Sequence, residues 1–186
     1  MRKSILKLRN FKSNKVLAVT ALFSAISIIC GKFLAFNIGD TLRFSFENLP
    51  IIIIGAFFGP VMGSLCGIVA DLIGCLLRGY AINPILTIAS AYIGFGSGLF
   101  FNLFRKTNLH FNCFITLLLC HSVGSVLIKS IGLSIWYGLP FEATLLQRTL
   151  NYIIVLFAEY IIMIILLKNK TFTNQLNRIS GYENDV

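Results

Sequence analysis

Long apolar runs, separated by short polar or Gly-Pro breaks, dominate the chain. Six of them are candidate helices, near 15–36, 44–58, 61–79, 85–104, 113–133 and 145–168. A helix needs about 20 predominantly apolar residues to cross a bilayer, and most of the runs approach that length. The pattern therefore predicts an all-α integral membrane protein, built as a six-transmembrane-helix bundle. The Gly59-Pro60 pair ends the second run and permits a tight reversal, which indicates a helical hairpin of the second and third helices.

Lysine and arginine are distributed unequally between the two ends of the predicted bundle. Eleven lie on the side that holds both termini, whereas five lie on the opposite side. Because positively charged loops stay in the cytoplasm, both termini are predicted to be cytoplasmic. The chain then divides into a basic cytoplasmic N-terminal segment (1–14), a membrane domain (15–168) and a polar cytoplasmic tail (169–186), which we expect to be frayed or flexible.

The composition excludes a soluble domain, because 56% of the residues are hydrophobic and only 12% are charged. The net charge of +9 comes from basic residues at the ends of the runs, so it does not indicate nucleic-acid binding. The five cysteines show no C-x-x-C spacing and are expected to be free thiols. Since Walker A, H-E-x-x-H and G-x-S-x-G sequences are absent, we expect no catalytic residue, no metal site and no cofactor, and therefore no enzyme.

Most polar residues of the runs map to the outer helix ends and the external loops. Such a cluster usually marks a cavity, although single cations can snorkel and Trp and Tyr can anchor at the interface. Aromatic residues beside cations and a carboxylate suit a flat heteroaromatic ligand that itself carries carboxylates. The candidate substrate-binding residues are Arg43, Phe46, Glu47, Arg78, Tyr80, Asn83, Lys129, Trp136 and Arg148.

Three further polar residues lie deeper in the runs. Asp71, near mid-depth, is either an acceptor for the ligand or a structural partner at a helix junction, and its depth favours the structural role. Glu159 is the acidic residue of the inner half, and its role stays open. His121 is expected to be a packed or hydrogen-bonded helix residue rather than a catalytic base.

Two helices carry stripes of small residues, which permit close helix packing in lipid. On the third helix the stripe consists of Gly63, Gly67, Ala70 and Gly74. On the first helix Thr20, Ser24, Ser27 and Gly31 share a face suited to packing inside the bundle. A different face carries Ala18, Ala21 and Ala25, so we expect it to be free for docking a second protein, with packing inside the bundle as the alternative.

Residues 42–98 contain LRFSFENLPIIIIGAFFGPVMGSLCGIVADLIGCLLRGYAINPILT followed by IASAYIGFGSG. This series resembles the substrate-binding S components of energy-coupling factor (ECF) vitamin transporters, most closely the folate-specific branch, and the resemblance runs from about 15 to 168. The later segment WYGLPFEATLLQRTLNYI, at 136–153, is similar to the family's link between helices five and six. Asn151 departs from the family pattern, which has a lysine three residues after the arginine that matches Arg148.

The resemblance implies a multi-pass protein of the bacterial plasma membrane that captures folate or a related vitamin at its external face. It also implies that uptake depends on partners, namely a transmembrane coupling protein and two ATPase subunits. Ala21 and Ala25 match the A-x-x-x-A pattern that such S components use for docking. Another vitamin, such as riboflavin, thiamine, pantothenate or a queuosine precursor, is the first alternative, and a small membrane enzyme or channel is the second.

Overall fold

A computed structural model describes residues 13–32, 35–38 and 42–180. In these ranges the chain forms seven helices and one two-stranded hairpin. The helices are α1 (Asn14–Lys32), α2 (Asn48–Phe58), α3 (Pro60–Arg78), α4 (Pro84–Leu103), α5 (Leu109–Tyr137), α6 (Phe141–Lys168) and α7 (Lys170–Ser180), and the strands are β1 (Phe36–Ile38) and β2 (Leu42–Phe44).

Gly and Pro set several of these boundaries. Pro60 and Pro84 each occupy the first turn of a helix, where a missing backbone N–H costs nothing. Gly79 and Gly138 end α3 and α5 with φ of 68° and 67°, in the left-handed region that glycine adopts without strain. The Gly59-Pro60 reversal is thus confirmed, since α3 begins two residues after α2 ends.

The first two helices are shorter than the sequence predicted. We expected helices over 15–36 and 44–58, but α1 ends at Lys32 and α2 begins only at Asn48. In the described part of this interval, two antiparallel strands pair Phe36 with Phe44. The connecting sequence contains Gly39 and Asp40, which are residue types that favour turns over helix.

Helix α2 lies in the centre of the bundle. All of its eleven residues are buried, which is the expected environment for a helix that is apolar on every face. Its length of about 16 Å is well short of the roughly 30 Å hydrocarbon core. Among the described residues, five other helices are long and apolar enough to cross a membrane, so the helices form a membrane bundle with five candidate spans and one shorter apolar helix.

Small residues bring α2, α3 and α4 into close contact. A methyl group on Gly63 would collide with the backbone at Gly94, and one on Gly67 would collide with the carbonyl of Ser90. The predicted packing role is confirmed for these two glycines. It is wrong for Gly74, because a Cβ built there meets no atom within 4 Å.

Helix α1 presents its two stripes to different surroundings. Thr20, Ser24 and Ser27 are 2–3% exposed, and the Ser24 hydroxyl lies 3.2 Å from Cys66 Sγ on α3. This confirms that the hydroxyl stripe packs inside the bundle. The stripe of Ala18, Ala21 and Ala25 is exposed, and its docking role stays a prediction.

The polar C-terminal segment is not frayed throughout, as we expected for 169–186. Residues Lys170–Ser180 form α7, whose apolar side packs against α1, α2 and α6. Leu176 is 5% exposed, and the rings of Phe172 and Phe57 meet edge to face with centroids 6.3 Å apart. A segment with low mean hydropathy is helical here because its few apolar residues fall on one face.

Candidate functional site

A cavity of ≈ 690 Å³ opens at the end of the bundle that carries the β-hairpin. Its wall is formed by the last turns of α1 and α3, the first turns of α2, α4 and α6, and the last part of α5. Because these helices alternate in direction, their ends meet on one side of the bundle. The volume lies within the range of about 300–1,000 Å³ that is typical of small-molecule sites.

Five charged side chains line the described part of the cavity: Arg78, Lys129 and Arg148, with Glu47 and Asp71. Lys129 is only 7% exposed, and its Nζ lies 3.4 Å from Glu47 Oε1. Three cations against two carboxylates leave the wall with an excess of positive charge. An anionic ligand would therefore be favoured in this partly desolvated site.

The remaining charged groups of the wall are anchored to neighbouring helices. Arg78 donates to the carbonyl of Gly31 on α1, and Arg148 donates to the carbonyl of Ser125 at 3.3 Å. Asp71 Oδ2 accepts the Thr87 hydroxyl at 2.7 Å, so it joins α3 to α4 while it also faces the cavity. Both of the roles considered for Asp71 are thus compatible with its position.

Three tyrosines add aromatic surface to the wall: Tyr80, Tyr137 and Tyr152. The ring of Tyr152 stacks on that of buried His121, with centroids 5.0 Å apart and an interplanar angle of 28°. One ring face of Tyr152 is therefore held by the protein. Aromatic rings placed around a polar cavity can stack on a flat ligand.

The structure brings together five of the predicted substrate-binding residues and leaves three others outside this lining. Glu47, Arg78, Tyr80, Lys129 and Arg148 line the cavity, together with Asp71. Asn83 is 1% exposed and caps α4, accepting from the N–H of Ile85 and donating to the carbonyl of Gly132. Phe46 is half-buried and Trp136 is 49% exposed, both away from the lining. The backbone of Arg43 lies in β2, but its side chain lies outside the described residues.

Sequence reasoning missed a chain of polar side chains that leads from the cavity into the bundle. Asn48 lines the cavity, and its Nδ2 lies 3.4 Å from Ser125 Oγ. Ser125 Oγ lies 3.1 Å from His121 Nδ1, and His121 Nε2 lies 2.6 Å from Glu159 Oε2. This confirms His121 as a hydrogen-bonded helix residue and gives Glu159 its partner. Asn48 could have been noticed as the polar residue that directly precedes a continuous apolar run.

Helix α5 changes its winding where this chain crosses it. Residues His121–Ile128 are π-helical, between α-helical segments Leu109–Cys120 and Lys129–Tyr137. Such segments are rare and occur often at functional sites. Here the π segment contains His121 and Ser125 and is followed at once by Lys129, so it determines which residues of α5 face the cavity.

In the ranges that the structure describes, no group of three His, Cys, Asp or Glu side chains is placed to hold a metal ion, and the five cysteines are free thiols.

Comparison with known proteins places the chain in a family. The family model described as "ECF transporter, substrate-specific component" matches residues 15–170. A curated relative from Mycoplasma pneumoniae, "Uncharacterized protein MG313 homolog", is 34% identical over 85 residues. That alignment covers 46% of this chain and 30% of the relative, so it spans less than a third of that protein's length.

Three solved structures share the fold at low sequence identity. FolT bound with folic acid has a TM-score of 0.66 and 24% identity, over 81% of this chain and 89% of that one. ThiT from Listeria monocytogenes has a TM-score of 0.70 and 18% identity, over 87% of this chain and 96% of that one. An S component for biotin from an ECF-type ABC transporter has a TM-score of 0.57 and 20% identity, over 83% of this chain and 92% of that one.

Proposed function

The chain belongs to the substrate-specific (S) components of ECF transporters, and we propose that its cavity binds folate. A protein of this family is a substrate-binding subunit and not an enzyme. The observation that carries the choice of ligand is the wall of the cavity, where, among the described residues, three cations outnumber two carboxylates beside three tyrosines. Folate combines a flat pterin, a benzoyl ring and a dianionic glutamate, which match aromatic surface and positive charge respectively.

The same charge balance argues against two of the alternative vitamins. Thiamine is a cation, and it would be repelled by a wall with an excess of Arg and Lys. Riboflavin is neutral and has no carboxylate for a guanidinium to pair with. Folate uses both the rings and the cations, and a structural neighbour was solved with folic acid bound.

Within the cavity, we assign Arg148, Lys129 and Arg78 to the carboxylates of the ligand and Tyr80 to its rings. The support is that all four residues line one cavity and that guanidinium–carboxylate pairs can be bidentate. Lys129 now pairs with Glu47, so a bound carboxylate would compete for that ammonium group. Asp71 and Glu47 are the candidate acceptors for amino groups of the ligand.

For the assembly, we propose six membrane-crossing segments with both termini in the cytoplasm of a bacterium and the cavity open to the outside. The supports are the charge bias of the loops and the position of the cavity at the end opposite the N-terminus of α1. The short helix α2 and the β-hairpin together make up the second segment. The exposed stripe of Ala18, Ala21 and Ala25 is the docking face for a transmembrane coupling protein, which works with two ATPase subunits.

A binding panel tests the proposal. The full chain, purified in lipid nanodiscs, is titrated calorimetrically with folic acid, thiamine, riboflavin, pantothenate and biotin. We expect saturable one-to-one binding of folic acid, weaker or absent binding of the others, and no ATP turnover by the chain alone. Binding of another vitamin in preference to folic acid would refute the assignment while leaving the family unchanged.

A further inference from the structure

Asn48 is the point at which a row of buried polar side chains reaches the cavity. Asn48, Ser125, His121 and Glu159 are each no more than 1% exposed, and successive polar atoms lie 3.4, 3.1 and 2.6 Å apart. The row joins three helices, because Asn48 begins α2, Ser125 and His121 lie on α5, and Glu159 lies on α6. A buried carboxylate at its far end is costly in a membrane bundle, which favours a functional role for the row.

The hydrogen-bond polarity of the row follows from its carboxylate. A carboxylate only accepts, so His121 Nε2–H donates to Glu159. On the other side of the ring, His121 Nδ1 lies 3.1 Å from Ser125 Oγ. Ser125 Oγ accepts from Nδ2–H of Asn48, and this hydrogen bond orients the amide. The row thus connects Glu159 to the Asn48 amide through His121 and Ser125.

Asn48 lines the cavity, and this orientation of its amide leaves Oδ1 as an acceptor. The atom is buried, and none of the residues that the structure describes hydrogen-bonds to it. Each acidic group of the wall already has a partner for one of its oxygens, Lys129 for Glu47 and Thr87 for Asp71. A buried acceptor without a donor is unfavourable, so a ligand that supplies an N–H to it is favoured over one that does not.

We propose that Asn48 is a specificity-determining residue whose Oδ1 accepts a hydrogen bond from an amino N–H of a planar heterocycle. Ser125, His121 and Glu159 are positioning residues that hold the amide with this oxygen toward the ligand. The proposal rests on the proposed function of the cavity. It adds which part of the ligand the protein recognises, namely the N–H donor of the heterocycle. A site built around such an acceptor discriminates strongly against analogues that lack the donor.

The test compares two ligands across matched variants of the full chain in nanodiscs. The ligands are folic acid and its analogue with the pterin 2-amino group replaced by methyl. The variants are Asn48→Leu, which removes the acceptor, Asn48→Asp, which keeps an acceptor, and Ser125→Ala, which breaks the row. Ser130→Ala is the control, because Ser130 lies on the same helix, is equally buried at 0%, and its Oγ has no hydrogen-bond partner among the described residues. The melting temperature of each variant is also measured without ligand, beside its two affinities.

We expect the wild type to prefer folic acid by about tenfold or more, which corresponds to one well-placed hydrogen bond. Asn48→Leu should abolish this preference by weakening folic acid alone, Ser125→Ala should reduce it, and Asn48→Asp and Ser130→Ala should retain it. A merely structural role would lower both affinities or the melting temperature without changing their ratio.

An unchanged preference in Asn48→Leu, or an equal loss for both ligands, would overturn the assignment of Asn48 while folate binding stood. If Asn48→Leu does not fold, an unchanged preference in Ser125→Ala would overturn the positioning of the amide. Absence of folic-acid binding in the wild type and in Ser130→Ala would overturn the proposed function and this inference with it.

Discussion

Replacing Ala21 by tryptophan should separate ligand binding from transport. Ala21 lies on α1 between Ala18 and Ala25, and all three side chains are exposed. The opposite stripe is buried and tied to the bundle, since Ser27 Oγ donates to the carbonyl of Glu47. An indole at position 21 therefore extends away from the cavity and the core. We expect the free energy of unfolding to change by less than about 0.5 kcal/mol, as is usual for a substitution at an exposed site.

The size of the docking defect follows from helix geometry. Helices that pack through small residues approach to roughly 8–10 Å, and no hydrophobic force between them compensates for a wider separation in lipid. Overpacking such a contact costs about 1–3 kcal/mol. Complex formation with the coupling protein should therefore weaken by about 5- to 150-fold, and folate uptake should fall with it.

The assay measures three quantities for Ala21→Trp and for Ile26→Trp, which serves as the control. Ile26 is 37% exposed and lies about 100° around α1 from Ala25, so its tryptophan faces lipid beside the stripe. Folic-acid affinity, co-purification with the coupling module and uptake of labelled folate are compared. Loss of binding together with assembly in Ala21→Trp would show that the alanine stripe is needed inside the bundle. Normal assembly would place the partner elsewhere.

Other substitutions test the packing and the cavity. Gly67→Ala should destabilise the fold by about 1–3 kcal/mol and so lower the melting temperature, because the added methyl group meets the Ser90 carbonyl. Gly74→Ala should leave the melting temperature unchanged, because there is open space around Gly74. Equal melting temperatures of the two variants would contradict the close α3–α4 contact. Arg148→Ala should weaken folic-acid binding by about tenfold or more through loss of a charge-assisted hydrogen bond, whereas wild-type affinity would mean that the guanidinium only anchors α6 to α5. Asp71→Asn keeps an acceptor for Thr87, so we expect the melting temperature to hold and binding to fall; a large loss of stability without ligand would instead make Asp71 structural.

The sequence predicted the long helices well because lipid imposes a strong and simple constraint. Backbone groups in hydrocarbon must be satisfied within the helix, so a span appears as a continuous apolar run. The run at 85–104, for example, matches α4 within one residue at each end. The hydroxyl stripe of α1 was predictable for a similar reason, since Thr20 and Ser24 return to one face with the helical period.

Features that depend on neighbouring helices were not predictable. The hairpin that replaces the end of the first helix needs a partner strand, and its pairing of Phe36 with Phe44 has no periodic signal. The π segment leaves no composition signature, so the facing of Ser125 and Lys129 could not be derived. Glu159 is more than thirty residues from His121 in sequence, and only the packing of α6 on α5 brings them together.

The sequence indicates how deep a residue lies along its helix but not which way its side chain faces, and this limited the prediction of the site. The predicted depth grouped Arg78, Lys129 and Arg148, and all three line the cavity. It could not separate residues that face the cavity from those that face lipid or another helix. Asn83 shows this, because it lies at the same level but is used to cap α4.

The central claim is that a cavity open to the outside binds folate, and protection of Cys75 tests it most directly. Cys75 is half-buried in the cavity wall, whereas Cys66, Cys113 and Cys120 are buried away from it. In intact cells that express a Cys30→Ser variant, a membrane-impermeant maleimide is added from outside with or without each vitamin. We predict that Cys75 is labelled from outside and that folic acid, but not thiamine or riboflavin, protects it. Labelling that requires permeabilised cells, or protection by another vitamin and not by folic acid, would contradict the account.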